Sequence, residues 1–396
     1  MRKKHFLFAS VLALLCGSST LHAQDFKLTS SGYFKNQGVD VMAFDDIYPE
    51  GHQGGVCIIM NGHRVATNGD IRLEATPGQW QPVPKQLDRK LGDNSITATL
   101  CYPDSSRHLT GFNPMIYPDL HLIYTVNVES KGKNIEVTVD LDRPIPQEFI
   151  GKVGFNLEFF PGSLFGKPWI MDGQSGIFPQ QPNSPLMTTQ PNYLHTGNYH
   201  DGKQSLADMD KLIGKGYSPI VADDIISEPY AKGTKFTSRP DDPYNKVTIE
   251  SLSGDLQLFD GRMNHNNGWF VLRSNIKPGV TKGAVKWIIT PNVVADWMYQ
   301  PVIQTSQIGY HPTQDKEAVI EMDIRDNRKE TAQIIRIDAD GEKVVKNVTP
   351  ANWGKFLRYN YLKVNFTDVK EPGLYKIKYN TSVSPIFRID NDVYAR

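Results

Sequence analysis

From residue 24 to about residue 300, apolar and polar positions alternate with a period of two, and helical spacing is scarce. Residues 134–141, Asn-Ile-Glu-Val-Thr-Val-Asp-Leu, alternate strictly and predict a strand with one buried face. Residues 121–128 alternate too, and Ser130-Lys131-Gly132-Lys133 joins the two as a hairpin. Val153, Phe155, Leu157 and Phe159 line one face of another strand. Runs at 56–60 and 64–66 flank Asn61-Gly62, the dipeptide a two-residue hairpin turn favours because both positions take positive φ. Asn68-Gly69 repeats that turn signal before a strand at 71–74. Further strands are expected at 246–251, 256–259, 269–273 and 284–289, and the best short helix at 206–213. The pattern predicts an all-β chain, with a large antiparallel β-sandwich over 24–300.

One stretch departs from it. Residues 161–244 are rich in Pro, Gly, Asn and Gln and form a long irregular insertion, which in a compact domain is usually functional. It carries Phe165, Trp169, Phe178, Tyr193, Tyr199, Tyr217 and Tyr230. Aromatic faces beside polar groups suit the C–H faces of sugar rings, and Trp169, Tyr193 and Tyr199 are the candidate carbohydrate-binding residues. Loop aromatics more often pin a loop to its sandwich.

From about residue 301 the spacing shortens. Apolar runs at 302–308, 318–324, 332–337, 343–348, 356–366, 373–379 and 385–389 make seven short strands in about 90 residues, the immunoglobulin-like number. No Cys…Trp…Cys spacing accompanies them. Glu371-Pro372-Gly373-Leu374-Tyr375 has the form of a tyrosine corner: Pro372 and Gly373 turn the chain, and the Tyr375 hydroxyl bonds a backbone group just upstream.

Composition adds limits. Charged residues at 22% and hydrophobic ones at 39% exclude wholesale disorder. Equal numbers of basic and acidic residues, 43 each, give no electrostatic footprint for nucleic acid. Residues 1–23 read as a signal peptide of Gram-negative type. Arg2, Lys3 and Lys4 precede an apolar run at 6–15, and Ala23 offers the cleavage point. Lipidation at Cys16 is disfavoured by Leu15 directly before it. About ten apolar residues are too few to span a bilayer of about 30 Å. The mature chain is expected in the periplasm or outside the cell, with Cys57 and Cys101 as its remaining cysteines. Each sits in an apolar run. A disulfide and two buried thiols both fit, the second being the plainer reading.

Three motifs then carry a resemblance. Gln307-Ile308-Gly309-Tyr310-His311-Pro312 with Lys316-Glu317-Ala318-Val319, the corner segment 366–375, and Ser384-Pro385-Ile386-Phe387-Arg388-Ile389 occur in order. Together they resemble the immunoglobulin-like domain that precedes the catalytic module in glycoside hydrolase family 9, the cellulases. Residues 24–300 are similar, less specifically, to the β-sandwich that some exported bacterial members carry in front. Asp260-Gly261-Arg262 and residues 267–271 fit that likeness. The resemblance implies an exported protein of β-glucan catabolism whose relatives are endo-β-1,4-glucanases. It also implies an (α/α)6 barrel C-terminal to the immunoglobulin-like domain, carrying paired aspartates and an acid glutamate. The chain ends at Arg396, so no catalytic residue of the family maps onto it. Asp338-Ala339-Asp340-Gly341 superficially resembles the family's Asp-Ala-Gly-Asp site, but its place between two strands predicts a hairpin turn.

Other chemistry is thin. Asp172, Asp201, Asp208, Asp210, Asp223, Asp224 and Glu228 could supply the carboxylate pair that glycoside hydrolysis needs, but they read better as solvated loop acids. His195, His200 and His265 with Asp201 lack a recognised ligand spacing, so no metal or cofactor is expected. Two functions follow: an accessory, structural portion of an exported β-glucan hydrolase, or a stand-alone carbohydrate-binding or surface protein. The expected partners are a β-glucan and the barrel, with no nucleic acid and no membrane span.

Overall fold

The computed structural model describes residues 25–45, 47–48, 51–52, 54–74, 76–77, 84–102, 120–182, 186–188, 225–263 and 268–395. Two antiparallel sheets of nine strands each take their strands from residues 27–291. The first runs Lys27–Leu28, Phe34–Asn36, Val39–Ala43, Val56–Met60, His63–Leu73, Val153–Phe159, Phe270–Asn275, Leu256–Asp260, Ala231–Gly233. The second runs Gln174–Ile177, Pro168–Met171, Lys235–Ser238, Val247–Ser251, Val285–Pro291, Asn134–Leu141, Ile123–Lys131, Ser95–Cys101, Lys85–Leu91. Strict alternation puts Ile135, Val137, Val139 and Leu141 on the buried face. They meet the first sheet's inward residues, and the layers interlock edge to face through Phe155 with Trp287 at 4.9 Å and Phe159 with Phe236 at 5.8 Å.

Two expectations change. Asn68-Gly69 is no turn: His63–Leu73 runs through it as one strand, with Asn68 at φ 56° and a register shift against Val153–Phe159. This is a β-bulge, and Gly69 is required there because a Cβ would stand 2.5 Å from that of Val56. The stretch 161–244 is also less irregular than its composition suggests. Pro168–Met171, Gln174–Ile177 and Lys235–Ser238 extend the second sheet, and Ala231–Gly233 edges the first. The helix expected at 206–213 lies outside the described residues.

Residues 302–389 build two smaller facing sheets. One orders Val302–Gln304, Glu317–Asp323, Tyr359–Asn365, Ala351–Phe356. The other orders Gly341–Val348, Ala332–Asp338, Gly373–Tyr379, Ser382–Val383, with Phe387–Ile389 paired to Gly373–Tyr379. The single run expected at 356–366 is a hairpin instead, turning at Leu357 with φ 51°. Leucine rarely takes that conformation, so the turn carries no Gly or Asn signal. Asp338 pairs with Gly341 across a two-residue turn, as its position predicts. The chain is all-β.

The motifs of this part are structural devices. The Tyr375 hydroxyl donates to the Glu371 carbonyl at 2.7 Å, the geometry of a tyrosine corner, and Gly373 opens the next strand. The Tyr310 hydroxyl donates to the Glu317 carbonyl at 3.0 Å. Buried Lys316 donates through Nζ to the Pro312 and Gln314 carbonyls at 2.8 and 3.0 Å, clamping the loop between. Tyr375→Phe leaves the Glu371 carbonyl without its hydroxyl donor. The expected loss is about 1–2 kcal/mol in a denaturant melt of the full chain; an unchanged midpoint would remove Tyr375 from the corner.

Candidate functional site: a buried charge clamp and a domain junction

Trp169 sits on Pro168–Met171 at 6% exposure, in the main core. Its indole lies over Gly176, where a Cβ would come within 2.4 Å, and it tilts against Tyr230 at 6.5 Å. A ring so enclosed has no open face for a sugar. Phe178 is fully buried, and the Tyr230 hydroxyl donates to Asp260 at 3.1 Å. Arg262 covers Phe270 at 4.4 Å and Phe165 at 5.1 Å, and donates to the Pro179 and Gln180 carbonyls. Phe165, Trp169, Phe178 and Tyr230 therefore pin this stretch to the sandwich. Asp172 accepts from the amides of Thr234 and Lys235, and Glu228 is exposed. Tyr193, Tyr199, Tyr217, His195, His200, His265, Asp201, Asp208, Asp210, Asp223 and Asp224 lie outside the described residues. Among the described residues, no three His, Cys, Asp or Glu side chains are placed to hold a metal ion. Cys57 and Cys101, on different sheets, form no disulfide.

A buried electrostatic network among the described residues of the sandwich was not legible as a motif. Asp70, Arg72 and Glu74 on or just after His63–Leu73, Asn156 and Glu158 on Val153–Phe159, and Arg273 on Phe270–Asn275 are all buried. Arg273 is 1% exposed, and its five N–H groups reach five acceptors: Asn275 Oδ1 at 2.7 Å, Glu74 Oε1 at 3.2 Å, Asn156 Oδ1 at 3.1 Å, and the Glu74 and Lys152 carbonyls at 3.0 Å. Asn156 donates to Glu74 at 2.6 Å, and the Tyr124 hydroxyl reaches Asp70 at 3.0 Å from the opposite sheet. Three adjacent strands are thus tied side by side, and the second sheet is tied to them.

Burial pushes the Glu74 carboxyl up to about 7; Arg273 pulls it down and Glu158 pushes it further up. The folded chain then holds this proton to about pH 7, while the unfolded chain releases it near 4.5. Between those values the native state binds the extra proton, so stability falls as pH rises. The penalty is absent below about 4.5 and complete above about 7. Urea midpoints of the parent should decline across that window, and those of Glu74→Gln should lack that decline. Matching slopes would place the titration elsewhere.

The second feature is the junction between the two sandwiches. Trp297 and Tyr299, in the segment between Val285–Pro291 and Val302–Gln304, wedge against two glycine turns of the large sandwich. A Cβ at Gly38 would meet Trp297 at 2.7 Å, and one at Gly62 would meet Tyr299 at 3.1 Å. The Trp297 carbonyl accepts from Gln37 Nε2 at 2.7 Å and Arg325 at 2.6 Å, one donor from each side. Tyr299 donates its amide to Asp323 at 3.0 Å and its hydroxyl to Glu321 at 2.9 Å, and Arg358 pairs with Asp40 at 2.9 Å. Burial alone would raise the Asp323 carboxyl, but the donors from Arg325 and the Tyr299 amide outweigh it and hold it down at about 2. This contribution is present above about pH 3.8 and is lost as pH falls through about 2.

Residues 298–384 match the family model described as the cellulase N-terminal Ig-like domain. No curated protein matches the chain. Among solved structures, a GH9 protein of Bacteroides ovatus is 26% identical over 23% of this chain and 16% of its own, with a TM-score of 0.19. The Slr1438 protein of Synechocystis is 10% identical over 74% of this chain and 100% of its own, TM-score 0.31. The protein HI1317 is 8% identical over 68% and 99%, TM-score 0.28. These three likenesses are too partial to assign a function. The chain spans about a sixth of the length of the Bacteroides ovatus protein.

Proposed function

We propose that this chain is the accessory, structural portion of an exported hydrolase of β-glucans, cleaved after Ala23 and acting with a helical catalytic barrel supplied beyond Arg396. The observation that carries this reading is the match of 298–384 to a cellulase N-terminal Ig-like domain, with Tyr375, Tyr310 and Lys316 holding that domain's form. The junction supports it. An immunoglobulin-like unit tied from both sides through the Trp297 carbonyl can hold a neighbouring catalytic unit in a fixed orientation to the large sandwich. No α-helix occurs among the described residues, so they cannot build an (α/α)6 barrel. Joining a family 9 barrel after Arg396 tests the proposal. The fusion should hydrolyse soluble β-1,4-glucan and melt at a higher temperature than the barrel alone. A barrel indifferent to the fusion in both rate and melting would refute an accessory role.

A further inference from the structure

Three Asp-x-Arg triplets, Asp260-Gly261-Arg262, Asp323-Ile324-Arg325 and Asp326-Asn327-Arg328, close the same fork. In each, the aspartate Oδ1 accepts the arginine's own amide, at 3.1, 2.9 and 3.0 Å in chain order. The same oxygen accepts Nε at 2.8, 2.8 and 2.9 Å, and Oδ2 accepts Nη2 at 2.9, 2.9 and 2.7 Å. This pairing fixes one edge of the planar guanidinium and leaves the far end able to donate. Two of the forks spend the far end on peptide carbonyls. Arg262 donates to the Gln180 carbonyl at 2.8 Å and to that of Pro179 at 2.9 Å, and Arg325 donates to the Trp297 carbonyl at 2.6 Å. The device thus serves twice as a clamp on a separate stretch of backbone.

The third fork makes no bond beyond its own aspartate. The Arg328 side chain is 51% exposed, while that of Asp326 is 2% exposed. The loop beneath is fixed: Asn360 Nδ2 donates to the Asp326 carbonyl at 2.7 Å, and the Tyr379 hydroxyl to the Arg328 carbonyl at 3.2 Å. The open guanidinium end is therefore preorganised. It lines a cavity of about 630 Å³ together with Met298, Gln300, Arg325, Asp326 and Asn327. That size lies within the roughly 300–1,000 Å³ of small-ligand clefts. Gln300 and Asn327 spend their amide nitrogens on the Met298 and Arg325 carbonyls, which keeps their side-chain oxygens for N–H donors.

We propose that this cavity binds a short, uncharged, proline-bearing peptide segment of a partner chain, with Arg328 clamping its carbonyls. The precedent is internal, since Arg262 holds the consecutive carbonyls of Pro179 and Gln180 in the same way. Charge agrees with it. The fork is an ion pair closed on itself, so it favours a neutral carbonyl over a phosphate or a carboxylate, which Asp326 beside it would repel. The Gln300 and Asn327 oxygens match the N–H groups of such a segment, and Met298 offers an apolar contact for proline rings. A proline also lowers the cost of ordering the segment, because its φ is already set. The proposal stands apart from the β-glucan reading and holds whether or not a barrel follows Arg396.

Calorimetry of the full chain with the end-capped peptide of residues 177–182, Ile-Phe-Pro-Gln-Gln-Pro, tests this. The parent should bind with a Kd of about 1 mM or tighter. Arg328→Gln should weaken binding roughly tenfold, and Arg328→Lys equally, since lysine keeps the charge and loses the planar fork. Gln300→Trp fills the cavity and leaves the fork intact, so it should weaken binding even if the Arg328 variants fail to fold. Leu374→Ala, an exposed apolar residue outside the cavity, should leave binding unchanged. Neither inorganic phosphate nor cellohexaose should displace the peptide. Absence of binding by the parent would overturn the proposal. Equal affinity in Arg328→Gln and Gln300→Trp would overturn it too, by placing the peptide elsewhere. Displacement by phosphate would make the cavity an anion site, and displacement by cellohexaose a glycan site; either result contradicts the peptide clamp.

Discussion

Replacing Arg273 with alanine is expected to destabilise the large sandwich by about 3–5 kcal/mol. The side chain is 1% exposed and satisfies acceptors on two strands, at the residue just after a third and at the residue before one of them. Its loss leaves the Glu74 carboxyl and two backbone carbonyls short of donors, in a place where water does not replace them. Lysine should not rescue it, since one ammonium with three donors cannot reach five acceptors in a planar fork. Removing both charges together, as Arg273→Met with Glu74→Leu, should recover much of the loss, because the uncompensated charge is then gone. Denaturant unfolding followed by near-UV circular dichroism gives the comparison. A cost of less than about 1 kcal/mol would mean that the clamp is incidental to stability.

The second large effect is expected at Gly38, where φ is +67° and a Cβ would stand 2.6 Å from Asn61 Oδ1 and 2.7 Å from the Trp297 ring. Gly38→Val places a branched side chain in a left-handed conformation, at about 1–2 kcal/mol for the backbone alone. It also drives out the indole wedge. The Gln37 and Arg325 bonds to the Trp297 carbonyl cannot both survive that displacement. Calorimetry should show one coupled transition in the parent and two in the variant, and chymotrypsin should cut faster after Tyr299. Trp297→Ala should do the same without the backbone cost. A single transition in both variants would show that the sandwiches are coupled elsewhere.

The legibility of this chain follows the range of its interactions. Asn134–Leu141 was readable because a half-buried sheet face imposes period two on neighbouring residues, and Val153–Phe159, buried on both faces, still alternates because Asn156 and Glu158 fill its second face. Tyr375 and the Asp338–Gly341 turn were readable because their partners lie a few residues away. Asn68-Gly69 misled because the dipeptide reports only the need for unusual backbone angles, which a bulge satisfies as well as a turn. The charge clamp was hidden for the opposite reason. Asp70, Arg72 and Glu74 alternate with Ile71 and Leu73 as a solvated face would, and only Arg273, 199 residues from Glu74, shows that they are enclosed. Trp169 looked like a platform because of its size and its neighbours; its burial depends on Gly176 and on pairing with Lys235–Ser238. Trp297 and Tyr299 sit in a segment without a strand pattern, and their role depends on turns more than 200 residues upstream.

The most direct measurement is reducing-sugar release by the purified chain from soluble β-1,4-glucan, against a no-enzyme control. Hydrolysis requires two carboxylates fixed at the separation set by the mechanism, with one of them able to donate a proton. Glu74 holds a proton near neutrality, but it is 1% exposed and committed to Arg273 and Asn156. Asp172 is spent on the amides of Thr234 and Lys235. An accessory role predicts release at the no-enzyme level over the whole pH range in which the chain is folded. Turnover by the chain alone that disappears on changing a single carboxylate, such as Asp172→Asn or Glu228→Gln, would contradict it and place catalysis in the large sandwich.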